Sequence, residues 1–94
     1  MFMRLVQFTL SEGARTQAQA MADELISAIK QQQGCQSAVF FGGGTDGESG
    51  ICVLWDSREH ADAASTIISP RLGVHLSGNV TGPVERRLFP VMAN

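Results

Sequence analysis

The chain has little of what binding to nucleic acids or membranes requires. Its 94 residues include seven lysines and arginines against nine aspartates and glutamates, so the formal net charge is −2. Binding along a phosphate backbone depends on a basic excess, and we therefore expect no nucleic-acid partner. The segment 1–10 is too short to cross a membrane, is interrupted by Arg4 and Gln7, and has no leader pattern. We predict a cytoplasmic protein with no membrane partner.

Cysteine is scarce, since the chain has only Cys35 and Cys52. Placing the two directly opposite each other in a hairpin would force residues 45–50, whose composition is unsuited to strands, into a strand. A turn placed two residues later puts Cys52 across from Val39 or Phe40 instead. We therefore predict two reduced thiols, as is usual in a reducing compartment.

Charged residues are also few. They make up 17% of the chain, against 44% hydrophobic residues. This composition argues against disorder, and the length suits one domain, which we place at 1–94. A chain of this size buries only about 60–65% of its unfolded surface when it folds alone. Some of the apolar residues are therefore available for burial against a partner.

The spacing of apolar residues predicts four strands and two helices. Apolar residues recur every three or four positions within 18–29, and Gly34 supplies a stop for this first helix. Asp56 and Glu59 have the spacing of a capping box at the start of the second helix, and Pro70 either ends that helix or starts a short extra turn. The predicted strands cover 4–10, 35–41, 51–55 and 84–91, and the predicted helices cover 14–33 and the stretch from Asp56 to Ser69.

Two glycine-containing segments are predicted to be irregular. Residues 42–50 connect two strands, whereas phosphate-binding loops connect a strand to a helix and usually bring a lysine. We therefore favour a flexible hairpin loop here, with a ligand-gating loop as the alternative. Residues 72–82 are predicted to form a loop with at most one brief helix. Pro90 predicts that the last strand lies at a sheet edge or ends near that residue.

The order strand, helix, strand, strand, helix, strand predicts an α+β fold of the ferredoxin-like βαββαβ type. In that fold both helices cover one face of a four-stranded antiparallel sheet. Residues 38–41 and 51–55 are apolar on both sides of the pleat, so the uncovered face would expose a large apolar patch. We therefore predict a homodimer that pairs through this sheet face about a two-fold axis.

Several short segments resemble the antibiotic-biosynthesis-monooxygenase-like (ABM) family of the dimeric α+β barrel superfamily. They lie in the expected order at 11–13, 34–35, 53–59 and 69–72. The resemblance implies a dimeric α+β barrel and a cofactor-independent monooxygenase, or a related isomerase, that acts on a small aromatic or quinol substrate. The alternatives are a non-catalytic dimeric module that binds a small apolar ligand or partner, and a barrel that serves mainly as an interaction or stress-related scaffold.

Four residues are candidates for the site that this resemblance implies. Family members often place a histidine after the second helix facing the cavity, which makes His75 the candidate catalytic residue; its alternative role is a backbone hydrogen bond. Trp55 could stack on an aromatic ligand or fill the core. Gln7 and Arg86 are further ligand-binding candidates, and strand alternation predicts that Arg86 and Arg87 point to opposite faces.

Departures from the family's active branches narrow the reaction. The resemblance to the heme-degrading branch implies a triad of asparagine on the first strand, tryptophan in the second helix and histidine after it. The first strand here offers Gln7 and the second helix only Ala63, Ala64 and their neighbours, so only the histidine has a counterpart, His75, and heme oxygenation is disfavoured. The quinone-forming branch often uses tyrosine, and this chain has none. His60 is predicted to be a solvated helix residue. Neither histidine has a carboxylate or cysteine at the spacing of metal ligands, so we expect no metal. We also expect no cofactor.

Overall fold

The computed structural model describes residues 1–42 and 46–94. A short 3₁₀ segment at Glu12–Gln17 precedes the first helix. The remaining elements, in chain order, are β1 (Phe2–Leu10), α1 (Ala18–Lys30), β2 (Cys35–Phe41), β3 (Glu48–Trp55), α2 (Arg58–Leu76) and β4 (Val80–Pro90).

The four strands form one antiparallel sheet in the order β2-β3-β1-β4. This is the predicted ferredoxin-like order, with the two strands that precede helices at the centre. Residues directly opposite each other in an antiparallel pair share a face, so the register separates the sheet into two surfaces. We call the surface under the helices the helix face and the other surface the open face.

The core lies between the helix face and the two helices. Alternate residues of β1 and β3 supply the sheet side of it, and α1 and α2 supply the other side. Leu25 is fully buried, and its aliphatic neighbours on the same helix stripe are nearly so. The fully or almost fully buried large side chains are Leu10, Leu25, Ile29, Ile51 and Leu72.

The first predicted helix is confirmed over its centre, with an irregular start. The chain is 3₁₀ up to Gln17 and α-helical from Ala18 to Lys30. Gly34 follows with φ +87°, and any side chain there would collide with Asp56 and His60. Glycine is therefore required at this position by both its backbone conformation and its neighbours.

The prediction that residues 72–82 form a loop is wrong, because α2 continues through Pro70 to Leu76. Proline removes one helical hydrogen bond, but the next turns bury Leu72 and Leu76 against the core, 2% and 4% exposed. This burial outweighs the local cost. The helix also begins one residue later than the predicted capping box, since the Ser57 hydroxyl accepts the cap hydrogen bond from the His60 amide at 3.2 Å.

The last strand is longer than predicted and starts at Val80. Gly82, at φ +78°, coincides with a register shift opposite β1 between Gln7 and Thr9, which marks a bulge. Pro90 ends this edge strand, as predicted. Strand β3 also starts earlier than expected, at Glu48. The predicted loop at 42–50 is therefore partly strand, and its residues 43–45 lie outside the described residues.

The two cysteines lie on opposite faces of the sheet. Cys35 is paired with Trp55 on the helix face, whereas Cys52 is paired with Val39 on the open face, as the sequence predicted. This geometry prevents a disulfide within one chain, because the two side chains point away from each other. Both thiols are free.

The open face is largely apolar, and neither described helix lies over it. Val39, Phe41 and Phe89 are 56%, 37% and 39% exposed. The apolar side chains that the register places on this face are Met3, Leu5, Val39, Phe41, Cys52, Leu54 and Phe89. Contiguous exposed apolar side chains of this kind commonly mark an interaction surface. Neither described helix is long and apolar enough to cross a membrane.

Candidate functional site

A cavity lies between α2 and the helix face of the sheet. Its volume is about 40 Å³, which is enough for a few water molecules. Its sheet side is formed mainly by aliphatic residues of β1 and β3, and its helix side by small and aliphatic residues of α2. The aliphatic lining residues include Val6, Ile51, Val53, Ala61, Ala64, Ile68 and Leu72.

Trp55 lines the cavity and carries a buried hydrogen-bond donor without a partner. The residue ends β3, is 3% exposed and lines the cavity. Among the described residues, its indole Nε1 is the one buried side-chain nitrogen or oxygen without a hydrogen-bond partner. An unsatisfied buried donor costs about 1–3 kcal/mol, and indole N–H groups normally find an acceptor.

Two arginines give the cavity a positive rim. Arg4 on β1 and Arg86 on β4 both line it. The Arg4 guanidinium lies 3.3 Å from the Asp62 carboxylate of α2, and its side chain is only 21% exposed. Arg86 is exposed and has no ion-pair partner within 1–42 and 46–94. The rim therefore combines one neutralised and one available cation.

The cavity wall offers donors and positive charge but no proton acceptor of the usual catalytic kinds. Within the described part of the chain, no carboxylate, histidine or cysteine is among its lining residues. The polar groups on the helix side are the hydroxyls of Ser65 and Ser69, which lie 3.2 Å apart. This arrangement can stabilise an anionic oxygen, whereas it lacks a general base of its own.

The structure places His75 away from this cavity. His75 lies in the last turn of α2, and its Nε2 is 3.0 Å from the Glu24 carboxylate of α1. The side chain is 25% exposed and lines a separate groove between the two helices. The backbone carbonyl of His75 also accepts a hydrogen bond from the side-chain Nδ2 of Asn79 at 2.7 Å. In this position His75 links the two helices.

Gln7 is also separate from the cavity, because it lies on the open face. It is paired with Gly50 and Glu85 in the register and borders a polar concavity near the end of β1. The two neighbouring arginines of β4 point to opposite faces, as predicted. Arg86 lines the cavity, while Arg87 contacts Glu85 at 3.2 Å on the open face. Of the four candidate residues, the structure thus brings together only Trp55 and Arg86.

His60 has a partner where the sequence predicted a solvated residue. Its Nδ1 lies 2.7 Å from the Asp56 carboxylate, against the backbone of Gly34. The hydrogen bond from His60 holds the pKa of Asp56 below its usual value. Both side chains remain partly exposed, so this pair anchors the start of α2 at the surface.

The Cys35 thiol is a weak nucleophile. Burial raises the pKa of the Cys35 thiol, and a protonated thiol is a poor nucleophile. Among the residues that the structure describes, no group of three or more histidines, cysteines or acidic residues could hold a metal ion.

Sequence reasoning missed Arg4 and Asp62 as parts of the site. Arg4 carried one available signal, since it interrupts an otherwise apolar alternation on β1 at a position that shares the face of Val6. Nothing in the sequence pairs it with Asp62, because the contact depends on how α2 is set across the sheet. The two serines at 65 and 69 gave no sequence signal beyond their spacing on one helix side.

Comparison with known proteins shows structural likeness across the whole chain. Rv0793 from Mycobacterium tuberculosis has a TM-score of 0.83 at 18% identity, with 99% of this chain and 96% of that chain covered. SnoaB, a cofactor-independent oxygenase from Streptomyces nogalater, has a TM-score of 0.79 at 16% identity, with 99% and 94% covered. An antibiotic biosynthesis monooxygenase has a TM-score of 0.78 at 16% identity, with 99% and 100% covered.

These likenesses establish that the chain has the ferredoxin-like α+β fold of antibiotic biosynthesis monooxygenase structures. The resemblance read from the sequence is thereby confirmed at the level of fold. No protein-family model and no curated protein sequence matches the chain. The reaction therefore has to be argued from the site itself.

Proposed function

We propose that the chain is a cofactor-independent monooxygenase that oxidises a small aromatic or quinol substrate in the cavity beside Trp55. The buried, unpaired indole N–H of Trp55 is the observation that carries this proposal. The name of one structural neighbour, a cofactor-independent oxygenase, supports the reaction class.

The chemistry that such a site favours is the reaction of an oxygen-stabilised anion with O₂. The positive rim at Arg86 lowers the pKa of a bound phenol, since an adjacent cation favours the charged form. The Trp55 N–H donates a hydrogen bond to the ring oxygen. For a hydroquinone, one atom of O₂ forms a bond to a ring carbon and the other leaves as water. The ring becomes a hydroxyquinone, and the substrate itself supplies all the electrons that reduce O₂.

The size of the cavity sets a condition on this reaction. A space of about 40 Å³ is smaller than the roughly 150 Å³ that accepts a benzene ring. A one-ring substrate therefore enters only when α2 moves away from the sheet, or binds with its ring partly in the cavity mouth. Helix α2 is the wall that can move, because the opposite wall is the central strands of the sheet.

We also propose that two copies pair through the open face. The second copy is the occupant that this surface suits, because the face is largely apolar on the three strands β1, β2 and β3 and carries Arg87 and Glu85 on the edge strand β4. Pairing would remove from water the exposed side chains of Val39, Phe41 and Phe89.

A non-catalytic binding module is the second candidate function. The observation that favours it is the absence of a general base from the cavity wall in the described residues. In this case the dimer binds a small apolar ligand beside Trp55 and releases it unchanged. Ligand binding is common to both functions, so turnover distinguishes them.

Oxygen consumption with simple hydroquinones tests the reaction. We expect the wild type to consume O₂ and to form a hydroxyquinone, and Arg86→Gln to do so at least tenfold more slowly. Arg87→Gln is the matched control, because it removes the same charge from the opposite face. Hydroquinone binding without O₂ uptake would support the binding module instead.

The role of His75 as the catalytic residue stays a prediction, and the same assay tests it. His75→Ala should abolish turnover if the imidazole moves a proton in the reaction, while hydroquinone binding stays intact. Unchanged turnover would show that His75 serves only the contact with Glu24.

A further inference from the structure

We propose that Asp62 sets the charge selectivity of the cavity by neutralising Arg4. With its carboxylate in place, the rim presents one effective positive charge and discriminates only weakly in favour of anions. Without it, the rim presents two. This inference rests on the proposed function, because it requires that the cavity binds a small ligand.

The register places both arginines on one rim. Arg4 lies opposite Leu88 in the pairing of β1 with β4, and Arg86 lies two residues from Leu88 on the same face. The two guanidinium groups are therefore diagonal neighbours on adjacent strands. Both line the cavity, so a ligand in its mouth meets both charges.

Asp62 reaches this rim from the opposite wall. It lies on α2, and its Oδ1 is 3.3 Å from the Arg4 Nη2. The Arg4 side chain is 21% exposed, which leaves its charge poorly screened inside the cavity. The Asp62 side chain is 61% exposed, so its replacement by asparagine opens no hole in the core and removes only the negative charge beside Arg4.

The ion pair is not needed to hold α2 in place. An ion pair with one partner this exposed contributes little to folding. One turn earlier on the same side of α2, the Arg58 guanidinium lies 5.1 Å from the centre of the Phe2 ring on β1. Replacement of Asp62 therefore leaves a second contact between this part of α2 and β1, and the main effect falls on the charge of the rim.

The experiment compares two probes of the same shape, benzoate and benzamide, which differ in charge. Trp55 is the only tryptophan, so its fluorescence reports binding in the cavity. We expect Asp62→Asn to tighten benzoate binding by roughly three- to tenfold and to change benzamide binding by less than about twofold. The gain should shrink in 0.5 M salt.

Three further variants make the test specific. Asp62→Glu should restore the wild-type ratio of the two affinities, because it keeps the carboxylate. Asp23→Asn is the matched control, since it makes the same change in net charge. Asp23 lies on the exposed side of α1, where it contacts Gln19 rather than the cavity. In an Arg4→Gln background, Asp62→Asn should no longer favour benzoate, because the cation that it exposes is gone.

The outcomes separate this inference from the proposed function. Equal tightening of both probes by Asp62→Asn would mean a wider cavity and would overturn the charge role. An equal gain in Asp23→Asn would also overturn it, since net charge alone would explain the effect. If Asp62→Asn does not fold, the ratio of benzoate to benzamide affinity is compared in the Arg4→Gln and Asp62→Glu variants instead. Failure of both probes to bind the wild type would overturn ligand binding in the cavity, and the role of Asp62 with it.

Discussion

The two faces of the sheet carry similar apolar residues but meet different surroundings. On the helix face, Ile51, Val53 and Trp55 are each at most 3% exposed, under α1 and α2. On the open face, Val39 is 56% exposed although it has the same apolar character. The charged groups also differ, since Arg4 and Arg86 line a cavity, whereas Arg87 contacts Glu85 at the surface. The helix face thus forms the core and one wall of a cavity, whereas the open face leaves its apolar side chains exposed.

The largest expected effect is on the helix face. Trp55→Ala removes a buried aromatic side chain and should lower the free energy of unfolding by about 3–5 kcal/mol. This is a large fraction of the total for a domain of this size. Urea denaturation followed by far-ultraviolet circular dichroism measures it. Trp55→Phe keeps a six-membered aromatic ring and should lower the free energy of unfolding by less than half as much. Equal losses in both variants would show that the cavity wall is already loosely packed.

A substitution on the open face should weaken the proposed dimer. A charge at Val39, introduced as Val39→Asp, would be buried without a partner in the proposed dimer. We expect the dimer dissociation constant to rise at least 100-fold, measured by sedimentation, with the monomer still folded. Ile67→Asp is the matched control, because Ile67 is 48% exposed on α2 rather than on the sheet. A wild-type chain that sediments as a stable monomer at micromolar concentration would contradict the dimer.

The cover of the helix face depends in part on the start of α2. Ser57→Ala removes the hydroxyl that caps the helix and should lower the free energy of unfolding by about 1 kcal/mol. Ser57→Gly should lower the free energy of unfolding by only a few tenths of a kcal/mol relative to the wild type. Thermal unfolding of the three proteins measures the difference. A loss of less than a few tenths in Ser57→Ala would mean that the contacts of α2 with the sheet, rather than the cap, fix where the helix starts.

The smallest expected effect is a pH dependence at the same helix end. The folded-state pKa of Asp56 is lowered, mainly by its hydrogen bond with His60. Its contribution to stability is therefore fully present above the unfolded value of 3.8 and is lost as the pH falls through the lower folded value. The difference in melting temperature between wild type and Asp56→Asn should be present above pH 3.8 and shrink as the pH falls through the lowered folded pKa of Asp56. A difference that persists in acid would show that the carboxylate acts through geometry rather than charge.

Much of the fold was predictable because local patterns and tertiary packing agreed. Strand β2 has the predicted bounds, and Cys52 lies across from Val39, one of the two partners that the composition of the hairpin predicted. The failures occurred where packing overrode a local signal. Pro70 predicted a helix end, but the burial of Leu72 and Leu76 extends α2 past it.

The candidate site was less predictable than the fold. Strand alternation correctly separated Arg86 from Arg87, since the period of a strand is a local property. The face of Gln7 could have been inferred from the same alternation, because it differs by one position from the core residues Val6 and Phe8. The place of His75 could not, because it was assigned to a loop that is in fact the end of α2.

The sequence by itself determined the order of the elements, the apolar character of both sheet faces and the opposite directions of neighbouring side chains on each strand. These features follow from periodicity, which needs only local geometry. The tertiary structure alone decided which charges meet. The contacts of Arg4 with Asp62 and of His75 with Glu24 depend on how α2 is set across the sheet and along α1, and thus on the packing of distant residues. That packing brings Arg4 together with Trp55 and Arg86 and leaves His75 at the junction of the two helices.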